Sequence, residues 1–337
     1  MTTWQGWQHS LPPTRPPHQQ PAGPPRSREE RLAYHSAFVT VRTPVINQLT
    51  TQVRTLMILG RHQQTTARPS LIVTGPAAAG KTTALLNVGR TCHLAHTRKN
   101  PPPPGTAYPA VPVACVLVPP GATAKTLTTA FARYLGIPTT TRMTQAQITD
   151  AVCHTYNTAG VQLVLIDEIH RLNPRTTGAQ AADLLKDLTE RIHATFVYAG
   201  IDVTTTPLFS GVRGAQLAGR ATLITCGPLP ARHGTREPFR EVITDLENAL
   251  GLTSHRPGTL PRHATYLHQR TAGRIGSLTR LIRQTAITAI HDGTEKITKQ
   301  TLDAVQLDHL AEQHRRPRSN TARRNAVQAT SLPSSQA

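Results

Sequence analysis

The stretch that decides the fold is LIVTGPAAAGKTT, which runs from Leu71 to Thr83. Gly75, Gly80 and Lys81, with the Thr82 that follows, stand at the spacing of a phosphate-binding loop. In such a loop successive backbone N–H groups curl around the phosphates, and a side chain on the approach face would block them. The lysine reaches the β- and γ-oxygens, and the hydroxyl completes the shell of a Mg²⁺ ion. The stretch therefore predicts a site for a nucleotide and Mg²⁺.

The residues on either side of the loop support this interpretation. An apolar strand is predicted over residues 70–74 and a helix over residues 81–96, and the start of a helix attracts anions. A small-residue turn that matches by chance is the alternative, and the flanking strand and helix argue against it. The predicted nucleotide contacts are Gly75, Pro76, Ala77, Ala78, Ala79, Gly80, Lys81, Thr82 and Thr83.

Two carboxylates end another apolar run, in LVLIDEIHRL over residues 163–172. At the carboxyl edge of a parallel sheet, side chains project into the ligand crevice. We therefore expect Asp167 to hold Mg²⁺ together with Thr82, and Glu168 to orient and deprotonate the attacking water. An Asp-Glu pair that only closes a capping turn is the alternative. Because the pair follows a phosphate-binding loop, the sequence favours ATP hydrolysis, with Lys81 and Glu168 as catalytic residues.

A third catalytic candidate is an arginine that lies immediately before the fifth predicted strand, in QLAGRATLITC over residues 216–226. In oligomeric ATPases an arginine at this place reaches the neighbouring subunit's γ-phosphate, where a guanidinium stabilises the spreading charge. Arg220 is the first candidate for this role and Arg213 the second. The alternative is a solvated arginine that ends a helix favourably.

Charge indicates what kind of partner the chain binds. The 337 residues carry a formal net charge of +19 and 16 histidines, which favours polyanions: nucleic acid first and an anionic membrane surface second. The alternative is that the basic charge serves only to keep the protein soluble. No apolar run approaches 18 residues, and the first residues lack the pattern of a signal peptide. The sequence thus predicts a cytoplasmic protein without a membrane partner.

Strands and helices alternate in the middle of the chain, which predicts an α/β fold with a parallel sheet. Residues 1–27 contain seven prolines and are predicted to be disordered. A helical lead-in and the α/β core occupy residues 28–230, and an all-α region follows over residues 231–312. Residues 313–337 form a basic, disordered tail. The further strands are predicted over residues 111–118, 161–166, 194–198 and 221–226.

Taken together, the phosphate-binding loop, IDEIHRL, QLAGR and the helical region resemble an AAA+ ATPase. A finer resemblance is to the TniB/TnsC-type transposition ATPases, which are related to MuB and ExeA-like ATPases. The stretches that carry it are REERLAYHSAFVTVRTP, IDEIHRL, QLAGR, TAGRIGSLTRLIRQTAITAI and KITKQTL, within residues 28–312.

The resemblance implies a P-loop AAA+ core whose five-stranded parallel sheet has the order 5-1-4-3-2, followed by a C-terminal all-α lid. It implies ATP and Mg²⁺ as cofactors and a homo-oligomer, a ring or a filament, on double-stranded DNA. It also implies a partnership with a DDE transposase and a TniQ-like adaptor. The implied DNA contacts come from the segment after the second strand, where Thr123, Lys125 and Thr126 open a helix.

Two positions depart from the AAA+ pattern. The polar sensor residue expected at the end of the fourth strand falls on Tyr198-Ala199-Gly200. The second sensor arginine falls near Gly276, flanked by Arg274 and Arg280, and Arg274 is the candidate that reaches the nucleotide from the lid. Both departures favour slow, DNA-stimulated hydrolysis.

Three other classes of function compete with this interpretation. Within AAA+ proteins, a helicase loader of the DnaC/IstB kind or a replication initiator is the nearest alternative. A signalling NTPase that binds a protein and no DNA fits the motifs but not the charge. A nucleotide kinase would not need an Asp-Glu pair after the third strand.

Overall fold

The computed structural model describes residues 2–10, 27–36, 41–62, 68–101, 110–172, 178–206, 208–209 and 211–313. The chain divides into two units, residues 1–228 and residues 229–337. The predicted basic tail from residue 314 lies outside the described residues.

Five parallel strands form the sheet of the first unit. Their order is β2-β3-β4-β1-β5, which confirms the order 5-1-4-3-2 counted from the other edge. The central strands are buried along their whole length, as expected for a parallel sheet covered on both faces, whereas the edge strand β5 is partly exposed. The strands are β1 Ser70–Thr74, β2 Val113–Leu117, β3 Leu163–Asp167, β4 Thr195–Gly200 and β5 Ala221–Thr225.

Most helices of the first unit bury apolar side chains in the core around the sheet. For example, Ile46, Leu49 and Val53 of the lead-in helix are buried at helical spacing. These helices are α1 Trp4–His9, α2 Arg28–Ser36, α3 Pro44–His62, α4 Lys81–Lys99, α5 Ala124–Tyr134, α6 Gln145–Thr158, α7 Gly178–Arg191 and α8 Gly211–Ala218. Two 3₁₀ turns follow β3 and β4, at Ile169–Arg171 and Val203–Thr205.

The helix α1 corrects the expectation that residues 1–27 are disordered throughout. Thr3 caps this helix, and the Trp7 side chain is fully buried. The Trp7 indole N–H donates to Nδ1 of His93 on α4 over 3.4 Å, and the rings of Trp4 and His93 are 5.5 Å apart. The proline-rich composition predicted disorder, but two indole rings bury enough apolar surface to fix this short helix. Residues 11–26 lie outside the described residues.

In the part that the structure describes, the regular elements of the second unit are helices, apart from one isolated bridge between His233 and Arg236. Its helices are α9 Pro238–Asn248, α10 Thr259–Arg262, α11 Ala264–Thr271, α12 Ile275–His291, α13 Lys299–Ala304 and α14 His309–Gln313. The apolar spacing of residues 298–313 predicts one continuous helix, and this prediction is wrong. Val305 is extended, and the Asp308 carboxylate accepts from the Ala311 N–H and starts a new helix. None of the helices in the described ranges is long and apolar enough to span a bilayer.

Candidate nucleotide-binding site

The phosphate-binding loop connects β1 to α4, and its glycines meet specific backbone demands. A Cβ atom at Gly75 would lie 1.9 Å from the carbonyl oxygen of Cys226, so only glycine fits there. Gly80 has a φ of 87° and is the N-cap of α4, and its carbonyl accepts from the Ala84 N–H over 2.9 Å. The loop therefore presents the start of a helix, with its unpaired N–H groups, at the carboxyl edge of the sheet.

Lys81 is buried beneath this loop. Its ammonium donates to the carbonyl oxygens of Gly75, over 2.8 Å, and of Pro76, over 2.7 Å. Burial lowers the pKa of Lys81, while neighbouring acidic groups, including Asp167 and Glu168, oppose that shift. The positive charge is thus fixed within the loop that would surround the phosphates.

Asp167 and Thr82 meet directly, as the sequence predicts for a Mg²⁺ site. The Thr82 hydroxyl donates to Oδ2 of Asp167 over 2.6 Å, and the Glu168 N–H donates to Oδ1 over 2.9 Å. Burial raises the pKa of Asp167, and these two hydrogen bonds oppose the shift. A hydroxyl and a carboxylate are the hard oxygen donors that Mg²⁺ prefers, so the pair fits this ion.

Glu168 follows β3 in a left-handed conformation, with a φ of 61°. Its Oε2 lies 2.9 Å from Nη2 of Arg171 and 3.7 Å from Nε2 of His170. Neither His170 nor Arg171 has a role predicted from the sequence. In a 3₁₀ helix, which has three residues per turn, side chains three residues apart lie on the same side, and this places Arg171 beside the Glu168 carboxylate.

His170 also occupies the region where β4 ends without a polar side chain of its own. Its Nδ1 accepts from the Ile201 N–H over 3.2 Å, and a Cβ at Gly200 would lie 3.0 Å from the same atom. Close by, the Thr74 hydroxyl at the end of β1 accepts from the Val203 N–H over 3.1 Å. The His170 imidazole, from the turn after β3, therefore lies at the end of β4, where the AAA+ pattern has a polar sensor residue.

Arg220 lies at the opposite end of the sheet from the phosphate-binding loop. Its carbonyl accepts from the N–H of Ser70, which begins β1, whereas the loop follows the end of β1. Its guanidinium pairs with Glu190 of α7, with 3.1 Å between Nη1 and Oε1. The side chain of Arg213 lies outside what the structure describes. Arg274 belongs to the second unit, as the N-cap of α12, and its contact with a nucleotide stays a prediction.

The predicted DNA contacts open α5, where they form a capping box. The Thr123 hydroxyl accepts from the Thr126 N–H, and the Thr126 hydroxyl oxygen accepts from the Thr123 N–H. The Lys125 ammonium donates to the carbonyl of Thr141 over 3.2 Å and is otherwise exposed to solvent. Both threonines thus have a structural role, which leaves Lys125 and the helix start as the groups free to meet a phosphate.

Comparison with known proteins places the chain in a family. The family model described as bacterial TniB protein matches residues 31–220, which is more than half of the chain. The chain belongs to the TniB family. The matched residues include the phosphate-binding loop, the Asp167–Glu168 pair and Arg220. No curated protein matches the sequence.

Solved structures show the same fold for this TniB-family chain at low sequence identity. The ORC2 protein of Aeropyrum pernix, in ADPNP-ADP complexes, is 14% identical, with a TM-score of 0.56 over 83% of this chain and 69% of that one. The Aeropyrum pernix ORC1 protein in complex with DNA is 14% identical, with a TM-score of 0.55 over 83% and 68%. Cdc6p from Pyrobaculum aerophilum is 15% identical, with a TM-score of 0.55 over 81% and 69%. The likeness shows the AAA+ fold.

Proposed function

We propose that this chain is an ATP-dependent DNA-binding regulator of transposition. It assembles as a homo-oligomer on double-stranded target DNA and recruits or licenses a DDE transposase, directly or through a TniQ-like adaptor. The observation that carries the proposal is the TniB family match, because it includes the phosphate-binding loop and the Asp167–Glu168 pair. The four cysteines are free, which is typical of a reducing compartment, and we place the protein in the cytoplasm.

The proposed chemistry is ATP hydrolysis at the carboxyl edge of the sheet. The loop from Gly75 to Thr83 surrounds the phosphates, and Lys81 meets the β- and γ-oxygens in place of its present carbonyl partners. Thr82 and Asp167 hold Mg²⁺, which supplies positive charge beside the phosphates when bound. Glu168 orients the attacking water and takes its proton.

The proposed partner is the backbone of duplex DNA. The net charge of +19 favours phosphate contacts in any sequence context, and an AAA+ relative of the same fold, ORC1, is known in complex with DNA. Lys125 and the N–H groups at the start of α5 supply the contact on this unit. Hydrolysis is slow in this proposal, because the end of β4 offers no polar sensor side chain of its own. Binding to DNA stimulates it.

A direct test measures the fluorescence anisotropy of a labelled duplex with ATP, with ADP and without nucleotide. The Glu168→Gln variant is used, because it should bind ATP and not hydrolyse it. We expect tight binding only with ATP, similar for unrelated sequences, and a strong decrease as salt rises, since bound phosphates release counterions. Electron microscopy of the same samples should show rings or filaments only when ATP and DNA are both present.

The outcomes separate the competing functions. Tight binding to one particular sequence with little response to salt would favour a replication initiator. No binding under any condition, with ATP binding intact, would favour a signalling switch that binds a protein. The Lys81→Ala variant is the control, since its affinity for DNA should not depend on ATP.

A further inference from the structure

A cavity of about 220 Å³ lies at the amino edge of the sheet in the first unit. Three strands begin beside it: Arg68 stands two residues before β1, Gln162 immediately precedes β3, and Thr195 is the first residue of β4. The phosphate-binding loop follows the opposite end of β1, and a strand of five residues spans about 16 Å. The cavity is therefore separate from the nucleotide site.

The Thr195 hydroxyl is a buried polar group that lines this cavity. Thr195 is 4% exposed, and neither its hydroxyl nor the Gln162 side-chain amide has a hydrogen-bond partner among the described residues. Gly60 of α3 leaves space beside the hydroxyl, since a Cβ there would still lie 4.0 Å from the Thr195 oxygen. A buried donor without a partner costs free energy. An occupant of the cavity that accepts these hydrogen bonds would recover that free energy.

Arg68 brings a positive charge to the same cavity. Its Nη1 donates to the carbonyl oxygen of Ile192 over 2.8 Å, which fixes the guanidinium and leaves its other N–H donors for an occupant. Burial lowers the pKa of Arg68, and no carboxylate in the described part of the chain offsets that shift. The two exposed residues of the lining, Arg61 and His193, are also basic. Arg61 has a second role, because a cation in the last turn of α3 offsets the negative helix end.

We propose that this cavity binds a small phosphate, either inorganic phosphate or the terminal phosphate of a small phosphorylated molecule. Arg68 pairs with the ion through charge-assisted N–H groups. The Thr195 hydroxyl and the Gln162 amide donate to its other oxygens. The inference does not rest on the proposed function, since the ligand, the residues and the edge of the sheet are all different from those of ATP hydrolysis.

The size and the chemistry of the cavity both favour this ligand. Pockets that hold a whole drug-sized molecule measure about 300–1,000 Å³, so a cavity of about 220 Å³ suits a single ionic group. A phosphate has more acceptor oxygens than a carboxylate, which matches a lining of several donors. The phosphates of duplex DNA are held in a wide rod and would not reach the hydroxyl of Thr195, a residue that is 4% exposed.

Isothermal titration of inorganic phosphate into the full chain tests the inference. The Lys81→Ala variant is the background, because the phosphate-binding loop of the wild type also attracts phosphate. We expect it to bind one phosphate with a Kd of about 1 mM or below, as two or three charge-assisted contacts allow. Adding Thr195→Val should weaken binding by about tenfold or more, and adding Arg68→Ala should weaken it at least as much. Thr195→Val should not lower the urea midpoint, because it removes a hydroxyl that has no partner in the described part of the fold.

Thr222→Val is the matched control, since Thr222 is an exposed threonine on β5 of the same sheet. It should leave phosphate binding unchanged. Titration of glycerol 3-phosphate identifies the source of the ligand: tighter binding than that of inorganic phosphate indicates a phosphorylated molecule, and weaker binding indicates the free ion. The inference is overturned if Lys81→Ala binds no phosphate, or if Thr195→Val leaves the affinity unchanged. It is also wrong if Thr195→Val weakens the binding of duplex DNA and not that of the small phosphates.

Discussion

Single residues at the carboxyl edge of the sheet determine whether a nucleotide can bind. No other residue can replace Gly75, because a Cβ atom there would lie 1.9 Å from the carbonyl oxygen of Cys226. Lys81 is the cation beneath the loop, and its ammonium already has two carbonyl oxygens as partners. These contacts arrange the positive charge before any phosphate arrives, which lowers the cost of ordering the loop on binding.

Lys81→Ala should abolish ATP binding. The change removes the charge that meets the β- and γ-oxygens, so the affinity should fall by at least about a hundredfold, the worth of a charge-assisted contact that leaves phosphate charge unpaired. A fluorescent ATP analogue in a titration measures this. Lys99→Ala, at the exposed other end of α4, is the control and should bind like the wild type. Unchanged affinity of the Lys81 variant would contradict the assignment of the loop.

Which residues of the site the sequence can predict depends on how local their contacts are. Lys81 and Thr82 follow from fixed spacing within one loop, and Asp167 follows because strand ends meet at one edge of a parallel sheet. The contact of Arg171 with Glu168 depends instead on a left-handed residue and a 3₁₀ turn after β3. No periodicity in the sequence indicates that conformation.

Among the elements, α1 depends most on its contacts with the rest of the unit. A helix of six residues is not stable alone in water, so its burial of Trp7 against α4 provides the stability. Gly89 of α4 makes room for the indole: a Cβ there would lie 2.7 Å from Trp7 Cη2 and 2.7 Å from Leu165 Cδ1. Both tryptophans of the chain, Trp4 and Trp7, lie in α1, so their fluorescence reports its docking.

Gly89→Ala should undock α1. Helix propensity favours alanine by about 1 kcal/mol, but a clash between α4, Trp7 and the core costs about 1–3 kcal/mol. Tryptophan emission should shift to the red while circular dichroism keeps most of the helix signal. Gly60→Ala in α3 is the matched control, because its Cβ would meet atoms only at 3.9 and 4.0 Å. It should leave the emission unchanged and raise the urea midpoint slightly. An unshifted emission in the Gly89 variant would contradict the docking.

The docking of α1 should also weaken in acid. Burial lowers the pKa of His93 below its ordinary value of 6.5, and the nearby His96 lowers it further. The docked state therefore binds fewer protons, so docking is complete above pH 6.5 and is lost as pH falls below it. Protonation also removes the acceptor of the Trp7 indole N–H. Emission recorded from pH 8 to pH 5 measures the change, and His93→Gln should flatten the curve.

The elements themselves were predictable where one physical rule acts alone. Apolar runs in a parallel sheet are buried on both faces, so the runs around β1 and β3 were visible in the sequence. The break between α13 and α14 was not visible, because Asp308 acts as a cap only once Val305 is extended. The helix α1 was missed because composition averages over its proline-rich neighbours.

At the scale of the whole molecule, the sheet separates Arg220 from its own nucleotide site. Ser70 pairs with Ala221 at one end of the parallel strands β1 and β5, and the phosphate-binding loop follows the other end. A strand of five residues spans about 16 Å, which an arginine side chain cannot bridge. If Arg220 contacts a γ-phosphate, that phosphate belongs to a neighbouring subunit, and Glu190 is the partner it must leave.

Mixing two inactive variants on DNA tests this arrangement. Arg220→Ala subunits should bind ATP and hydrolyse it poorly, whereas Lys81→Ala subunits carry an intact arginine and a site that cannot bind ATP. In a mixed oligomer some interfaces join an intact arginine to an intact site. An arginine supplied in trans is worth about 10³–10⁵ in rate in related reactions, so even sparse mixed interfaces should restore measurable hydrolysis. If the two variants assemble together on DNA and stay as inactive as each alone, Arg220 does not act on a neighbour, and its pairing with Glu190 is its function.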